Sequence, residues 1–172
     1  MSDRANRVLR LLGSRGSNAA LLEPAVLAAD LGLPPREASV SAVPHVPAVR
    51  AGGLVFTSGQ LPIQDGELVA TGRVGDTLSL AEGQACAQRC AVNALEAVRS
   101  EVGDLGRVRR IVKVVVYVAS GALFTDQALV ANGASELLGM AFGDAGRHAR
   151  SVVGVSVLPL DAPVELDLVV EI

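Results

Sequence analysis

The stretch R-S-V-V-G-V-S-V-L-P-L-D-A-P-V-E-L-D-L-V-V-E-I, from Arg150 to Ile172, sets an arginine and several carboxylates into two β-branched runs. Prolines and an aspartate separate the runs, which predicts a β-hairpin. Side chains alternate along a strand, so each run has one continuous apolar face. Arg150 and Glu165 fall on the opposite, mixed face. The apolar faces comprise Val153, Val155 and Val157 on the first run, and Val164, Leu166, Leu168, Val170 and Ile172 on the second.

Composition restricts the class of protein. The chain has 172 residues, half of them hydrophobic, which is enough for one substantial core and predicts a single α/β domain. A net charge of −3 and only 2% aromatic residues disfavour nucleic acid as a partner. No apolar run approaches the roughly 20 residues of a membrane span. We therefore expect a cytoplasmic protein without a membrane partner.

The two cysteines and two histidines do not form a metal-binding or disulfide pattern. Cys86 and Cys90 are spaced i, i+4 in a segment that we interpret as helix. Small buried side chains are the expectation for both, and no metal is expected.

The order of predicted elements is β-β-(β)-α-β-α-β-β. Ser79 and Glu82 form a capping box that begins the first helix, and Thr125 or a neighbour caps a second helix ending near Met140. Residues 1–43 are expected to be an N-terminal extension, partly flexible, with a short helix beginning near Pro24. Residues 44–172 then form the α/β domain.

This order suits a mixed sheet with two helices packed on one face. The segment Ile111 to Val118 is apolar on both faces, so a second copy of the chain is the simplest cover for the other face. In the predicted hairpin, Arg150 and Glu165 both point to this subunit-facing side, roughly 15 Å apart along the strand. A site that uses both would take them from different subunits.

Four segments carry a family resemblance: F-T-S-G-Q-L-P over residues 56–62, A-N-G-A-S-E-L-L over residues 131–138, H-A-R-S over residues 148–151, and V-E-L-D over residues 164–167, after a leucine-proline pair. From Pro44 to Ile172 the chain resembles the RidA/YjgF reactive-intermediate deaminase family, often labelled endoribonuclease L-PSP. The resemblance implies a chorismate-mutase-like fold with a mixed six-stranded sheet. It also implies a homotrimer with the sheets inside and a cleft at each subunit interface.

The resemblance assigns roles to two charged residues. The arginine matching Arg150 binds the substrate carboxylate, and the glutamate matching Glu165 positions or activates water. The implied reaction hydrolyses a small enamine or imine acid, such as 2-aminoacrylate, to a keto acid and ammonia, with no cofactor. A guanidinium that binds a carboxylate bidentately and a carboxylate that accepts a proton from water suit this chemistry.

Further cleft residues follow from the same resemblance. Backbone N–H groups around Ser58 and Gly59 look like additional carboxylate contacts, and Asn132 matches an asparagine near the cleft. The chain departs from the family at two positions: Val152 replaces a cysteine, and His45 replaces a tyrosine. Both residues are expected among those that bind the substrate, and His45 could alternatively be a loop residue without a role.

Other interpretations remain open at this stage. Arg150 and Glu165 could be ion-pair partners across a subunit interface, Gly59 could serve only a turn, and Asn132 could bond helix backbone. A non-catalytic binder or sensor of small carboxylates is the alternative to the deaminase. Ribonuclease activity is a third hypothesis, which the acidic charge balance opposes.

Overall fold

The computed structural model describes residues 45–172; the short helix and flexible segment expected in residues 1–43 lie outside that part. Two long helices and seven strands account for most of it. The helices are α1 (Leu80–Val102) and α2 (Gln127–Phe142). The strands are β1 (Ala48–Ala51), β2 (Leu54–Thr57), β3 (Ile63–Gln64), β4 (Glu67–Leu68), β5 (Arg110–Ala119), β6 (Ala149–Val155) and β7 (Val164–Glu171).

The main sheet has the strand order β1-β2-β7-β5-β6. Strands β5 and β6 are parallel, and every other neighbouring pair is antiparallel. Both helices pack on one face of this mixed sheet, which confirms the predicted fold class. The sheet has five strands rather than six, because β3 and β4 pair with each other in a separate small sheet.

The predicted terminal hairpin is wrong, because β5 lies between β6 and β7. Val114 of β5 is level with Arg150 on one side and with Leu168 on the other. The connection over residues 156–163 passes the end of β5, where Ala119 N–H donates to Pro163 O at 2.9 Å. Spanning two strand spacings requires about 10 Å, which this longer connection covers and a tight hairpin turn does not.

The insertion of β5 also reverses the predicted faces of β6. Val114, Val116 and Val118 are fully buried under the helices, and their β6 partners share that face. Those partners are Arg150, Val152 and Gly154. Val153 is 45% exposed on the opposite, open face, so the predicted apolar face of the first run, which includes Val153 and Val155, does not face the helices.

Strand β7 behaves as the sequence predicts. Its even-numbered residues from Val164 to Val170 are completely buried, whereas the odd-numbered residues lie half-buried on the open face. Phe56 is 38% exposed on the same open face, level with Val169. None of the described helices covers this face, so it is available to a second copy of the chain.

Helix α1 begins at the predicted capping box. Ser79 N–H donates to Glu82 Oε2 at 2.8 Å, and Glu82 N–H donates to Ser79 Oγ at 3.3 Å. Cys86 and Cys90 are buried and free, as predicted. Burial, with a smaller contribution from Glu82, raises the pKa of the Cys86 thiol to about 11, which keeps it protonated.

Helix α2 crosses α1 closely at Gly133. A β-carbon at this position would overlap the carbonyl oxygen of Gln84 and lie 3.0 Å from its Cα. The N-cap of α2 is Asp126, the neighbour of Thr125, and its side chain makes no capping hydrogen bond. Only glycine permits this separation between the helices, so Gly133 determines how near α2 lies to α1.

No helix within residues 45–172 is both long and apolar enough to cross a membrane.

We expect Gly133→Ala to lower the free energy of unfolding by about 1–3 kcal/mol, because the added methyl group is forced against backbone. Gly139→Ala, on the same helix with open space around its Cα, is the matched control. It should raise the free energy of unfolding by roughly 0.5–1 kcal/mol. Urea denaturation followed by circular dichroism measures both. Equal effects of the two substitutions would contradict the close crossing.

Candidate functional site

Arg150 is held by helix α2 through three hydrogen bonds. Its Nη1 donates to Asn132 Oδ1 at 2.9 Å and to Ser135 Oγ at 3.0 Å. Its Nη2 donates to the carbonyl oxygen of Ala128 at 3.3 Å. Asn132 and Ser135 are three residues apart and therefore share a helix face, which lies over strand β6.

These contacts leave one edge of the guanidinium accessible. A guanidinium has five N–H donors, and the described residues accept from two on Nη1 and one on Nη2. The other two, on Nε and Nη2, belong to neighbouring nitrogens. Donors on two adjacent guanidinium nitrogens can bind the two oxygens of a carboxylate.

A second group of predicted residues lies where β2 separates from β7. Thr57 Oγ1 accepts from Leu168 N–H at 2.9 Å, and Gln60 pairs with Leu166 through backbone bonds of 2.8 and 3.0 Å. Ser58 and Gly59, between these two ties, are displaced from the β7 ladder. At this point Gly59 lies against Glu165, while Ser58 stays bonded to Pro47, just before β1.

Glu165 packs directly against Gly59. A β-carbon on Gly59 would overlap Glu165 Oε1 and lie 2.8 Å from its Cδ, so glycine is required for this approach. Burial, and secondly the neighbouring carboxylate of Asp167, raises the pKa of Glu165 above its ordinary value. Burial also raises the pKa of Asp167, which Lys113 partly opposes. A carboxyl group with a raised pKa is a better proton acceptor near neutral pH.

Ser58 is less available to a ligand than the sequence suggests. Its N–H donates to Pro47 O at 2.8 Å, and its hydroxyl donates to Val46 O at 2.7 Å. This N–H therefore already has an acceptor within the chain, and a carboxylate contact from the Ser58–Gly59 segment stays a prediction. No backbone acceptor among the described residues takes the Gly59 N–H, which leaves that group for a ligand.

His45 and Ser58 line the same open groove, of about 560 Å³, together with Phe56 and residues of β1. The two predicted residues thus lie near each other at the β1–β2 end of the sheet. Val152, by contrast, is level with Val116 on the helix side and packs against the core. Its side chain follows Arg150 on the same face.

The predicted site residues therefore form two groups. The β2–β7 group contains His45, Ser58, Gly59 and Glu165, and the β6–α2 group contains Asn132, Val152 and Arg150, with Ser135 and His148 beside them.

Arg150 and Glu165 do not meet within one chain. They lie two strands apart laterally and three residues apart along the sheet, which separates them by about 14 Å. They also occupy opposite faces, so the expectation that both point to the open face is wrong. The expectation rested on a direct β6–β7 pairing that does not exist.

Neither Ser135 nor His148 was among the predicted site residues. His148 is half-buried, and its Nε2 lies 3.0 Å from Ser135 Oγ. The i, i+3 spacing of Asn132 and Ser135 was the available signal, since it places both on one helix face. Without the position of β6, that spacing did not identify their shared partner.

Among residues 45–172, no three histidine, cysteine, aspartate or glutamate side chains group as ligands for a metal ion.

Comparison with known proteins identifies the family. The family model described as "YjgF/chorismate mutase-like, putative endoribonuclease" matches residues 23–172. Protein TCP17 of Trypanosoma cruzi is 44% identical over 143 residues, covering 83% of this chain and 89% of that protein. This chain belongs to the YjgF/chorismate mutase-like family, which confirms the resemblance seen in the sequence.

Solved structures agree with the fold. A protein of unknown function from Agrobacterium tumefaciens is 41% identical, with a TM-score of 0.78, and the match covers 85% of this chain and 90% of that one. TdcF from E. coli, solved with bound serine, is 25% identical with a TM-score of 0.56. That match covers 77% of this chain and 91% of TdcF.

The raised pKa of Glu165 makes the stability of the protein depend on pH. The folded state binds this proton more tightly, so its stabilising contribution is complete below the unfolded pKa and is lost as the pH rises through the folded pKa. Glu165→Gln should therefore raise Tm at pH 7 and leave it nearly unchanged at pH 4. Differential scanning calorimetry at the two pH values measures this.

Glu171→Gln removes a charge from the same face of the same strand and serves as the control for the Glu165 experiment. A lower Tm of Glu165→Gln at pH 7 would contradict the desolvation of this carboxylate.

Proposed function

We propose that this protein is a cytoplasmic, cofactor-independent hydrolase that deaminates small imine or enamine acids in clefts between the subunits of a homotrimer. The observation that carries the proposal is the edge of Arg150. Helix α2 engages three of its donors and leaves two neighbouring ones for a carboxylate. Small 2-imino acids carry such a carboxylate beside the reacting carbon.

Glu165 is the proposed base. The Glu165 carboxylate takes a proton from water as the water oxygen adds to the C=N carbon. Glu165 returns this proton to nitrogen, which gives a carbinolamine. It then transfers the proton of the new hydroxyl group to nitrogen as well, so the C–N bond breaks, ammonia leaves and the C–O bond becomes the carbonyl of the keto acid. An enamine substrate first gains a proton on carbon and loses one from nitrogen, which gives the imine. The raised pKa of Glu165 supports these proton transfers near neutral pH.

The proposed cleft requires two subunits. Within one chain Arg150 and Glu165 are on opposite faces, too far apart to hold one small substrate. The open face of the sheet carries exposed apolar side chains, Val49 at 52% and Val153 at 45%, which a second subunit would cover. An interface between the β6–α2 group of one subunit and the β2–β7 group of the next would complete the site.

A second candidate is a binder of small carboxylates without turnover. The support for it is the E. coli relative TdcF, whose structure contains bound serine, itself a small carboxylate. In this chain Val152 and His45 occupy two positions at which the sequence departs from the family, and both would alter recognition of the substrate. Measurement of binding and turnover on the same preparation separates the two candidates.

Arg150→Ala should lower kcat/KM for freshly generated 2-aminoacrylate by about 100-fold or more, because a charged, bidentate anchor is lost. Arg150→Lys keeps the positive charge without the bidentate geometry, so its kcat/KM should lie between those of the wild type and Arg150→Ala. Release of ammonia and keto acid measures turnover. Arg110→Ala, an exposed arginine at the start of β5, is the control and should match the wild type.

Equal turnover by wild type and Arg150→Ala would overturn the deaminase proposal. Carboxylate binding without ammonia release, detected by calorimetry and lost in Arg150→Ala, would establish the binder instead. Cleavage of RNA by rigorously purified protein, abolished by Arg150→Ala, would favour the ribonuclease implied by the family description.

Mixed oligomers test whether the site crosses subunits. We expect Arg150→Ala and Glu165→Gln homotrimers to be inactive, since each lacks one group at every cleft. Co-expressed chains with different tags, purified on both tags, should recover about a third of wild-type activity, because one of three interfaces is then intact. Inactive mixed trimers would contradict a shared site.

A further inference from the structure

A directional hydrogen-bond chain connects Arg150 to His148. His148 Nδ1 lies 2.6 Å from the carbonyl oxygen of Gly146, and a carbonyl only accepts, so Nδ1 carries a proton. In the neutral ring Nε2 is then an acceptor, and it takes the hydroxyl proton of Ser135 at 3.0 Å. The Ser135 oxygen in turn accepts from Arg150 Nη1 at 3.0 Å.

Neutral His148 therefore restricts Ser135. With its proton directed to the imidazole, the Ser135 hydroxyl presents only lone pairs to Arg150, which fixes one side of the guanidinium. The Gly146 carbonyl holds the ring in this orientation. This hydrogen-bond chain therefore sets, indirectly, the orientation of the Arg150 donor edge that would face a ligand.

Protonation of His148 would change both charge and donor direction. Nε2 would become a donor to Ser135, whose oxygen has two lone pairs and can accept from both neighbours. The Ser135 hydroxyl proton would then turn away from the ring. The new imidazolium would also stand close to the guanidinium, a like-charge repulsion that a bound carboxylate relieves.

The released hydroxyl would have space for a ligand. Arg150, Ser135 and His148 share one groove of about 350 Å³, and its full lining is Ser135, Gly139, Gly146, Arg147, His148 and Arg150. A carboxylate bound along the Arg150 edge would lie within this groove, where the Ser135 hydroxyl could donate to it.

The other charged groups near His148 are more exposed than Arg150. Glu136 of α2 is exposed, and Asp144 and Arg147 of the preceding turn face each other at 4.0 Å with exposed side chains. Solvent screens these charges strongly. Arg150 is the charged group that hydrogen bonds connect to His148, by way of the Ser135 hydroxyl.

We infer that Ser135 and His148 are positioning residues for Arg150, and that the affinity of Arg150 for a carboxylate rises when His148 becomes protonated. The inference rests on the proposed carboxylate-binding role of Arg150. It assigns to His148 a control of carboxylate affinity through its protonation state.

Calorimetric titration of the full-length protein with pyruvate between pH 5.5 and 8 tests this. Pyruvate stays ionised throughout, so its own charge does not change. The Kd of the wild type should fall about fivefold toward low pH. In His148→Gln, which places an amide that does not titrate beside Ser135, the Kd should stay near its value at pH 8.

Two further variants separate positioning from a general structural effect. Ser135→Ala breaks the hydrogen-bonded connection and should reduce the pH dependence, whereas Ser135→Thr keeps the hydroxyl and should preserve it. Glu136→Gln, which removes the exposed carboxylate of α2 next to Ser135, is the matched control and should retain the wild-type pH dependence. Loss of the pH dependence in Glu136→Gln would overturn the inference.

Nuclear magnetic resonance titration of the wild type covers the case of variants that fail to fold. Because coupling is reciprocal, saturating pyruvate should raise the pH at which His148 titrates. An unchanged His148 titration would overturn the inference.

The outcomes distinguish this inference from the function beneath it. Wild-type protein that does not bind pyruvate, or Arg150→Ala that binds it equally well, would overturn the proposed role of Arg150 itself. Wild-type binding with the same pH dependence in His148→Gln would overturn only the role of His148.

Discussion

The hydrogen bonding of β5 to both β6 and β7 is the constraint on which this structure depends. A parallel neighbour cannot be reached by a tight turn, so the chain crosses over the sheet between β5 and β6, and α2 forms that crossover. Helix α2 consequently lies above β6, where Asn132 and Ser135 can bond Arg150. The other side of β5 is filled by β7, which brings Glu165 into the centre of the sheet.

The two faces of this sheet give its charged residues different environments. Arg150 lies on the helix side at an edge strand, where α2 satisfies part of the guanidinium and leaves an edge for a ligand. Glu165 lies on the open side in a central strand, against the backbone of Gly59, where burial favours its protonated form. For the proposed reaction, neither group is sufficient within one subunit. In the proposed trimer, assembly would bring together an anchor and a base whose environments the individual subunits already establish.

Local patterns in the sequence predicted the local structure well. The capping box at Ser79 and Glu82 begins α1, and the alternation over Val164 to Val170 identifies the buried face of β7. These succeed because capping and strand alternation depend on neighbouring residues of the same segment. The pairing of β6 with β7 failed for the complementary reason: prolines mark where strands end, whereas the identity of a strand's neighbour depends on competition among distant segments.

The sequence by itself determined the family, the helix and strand segments, and the candidate residues Arg150, Glu165, Gly59 and Asn132, because these are properties of residue type and spacing. Only the tertiary structure decided that β5 separates β6 from β7, that Arg150 faces α2, and that Ser135 connects it to His148. The face on which a strand residue lies depends on which strands flank it. That choice is made by the packing of the whole sheet against its helices, which no short stretch of sequence encodes.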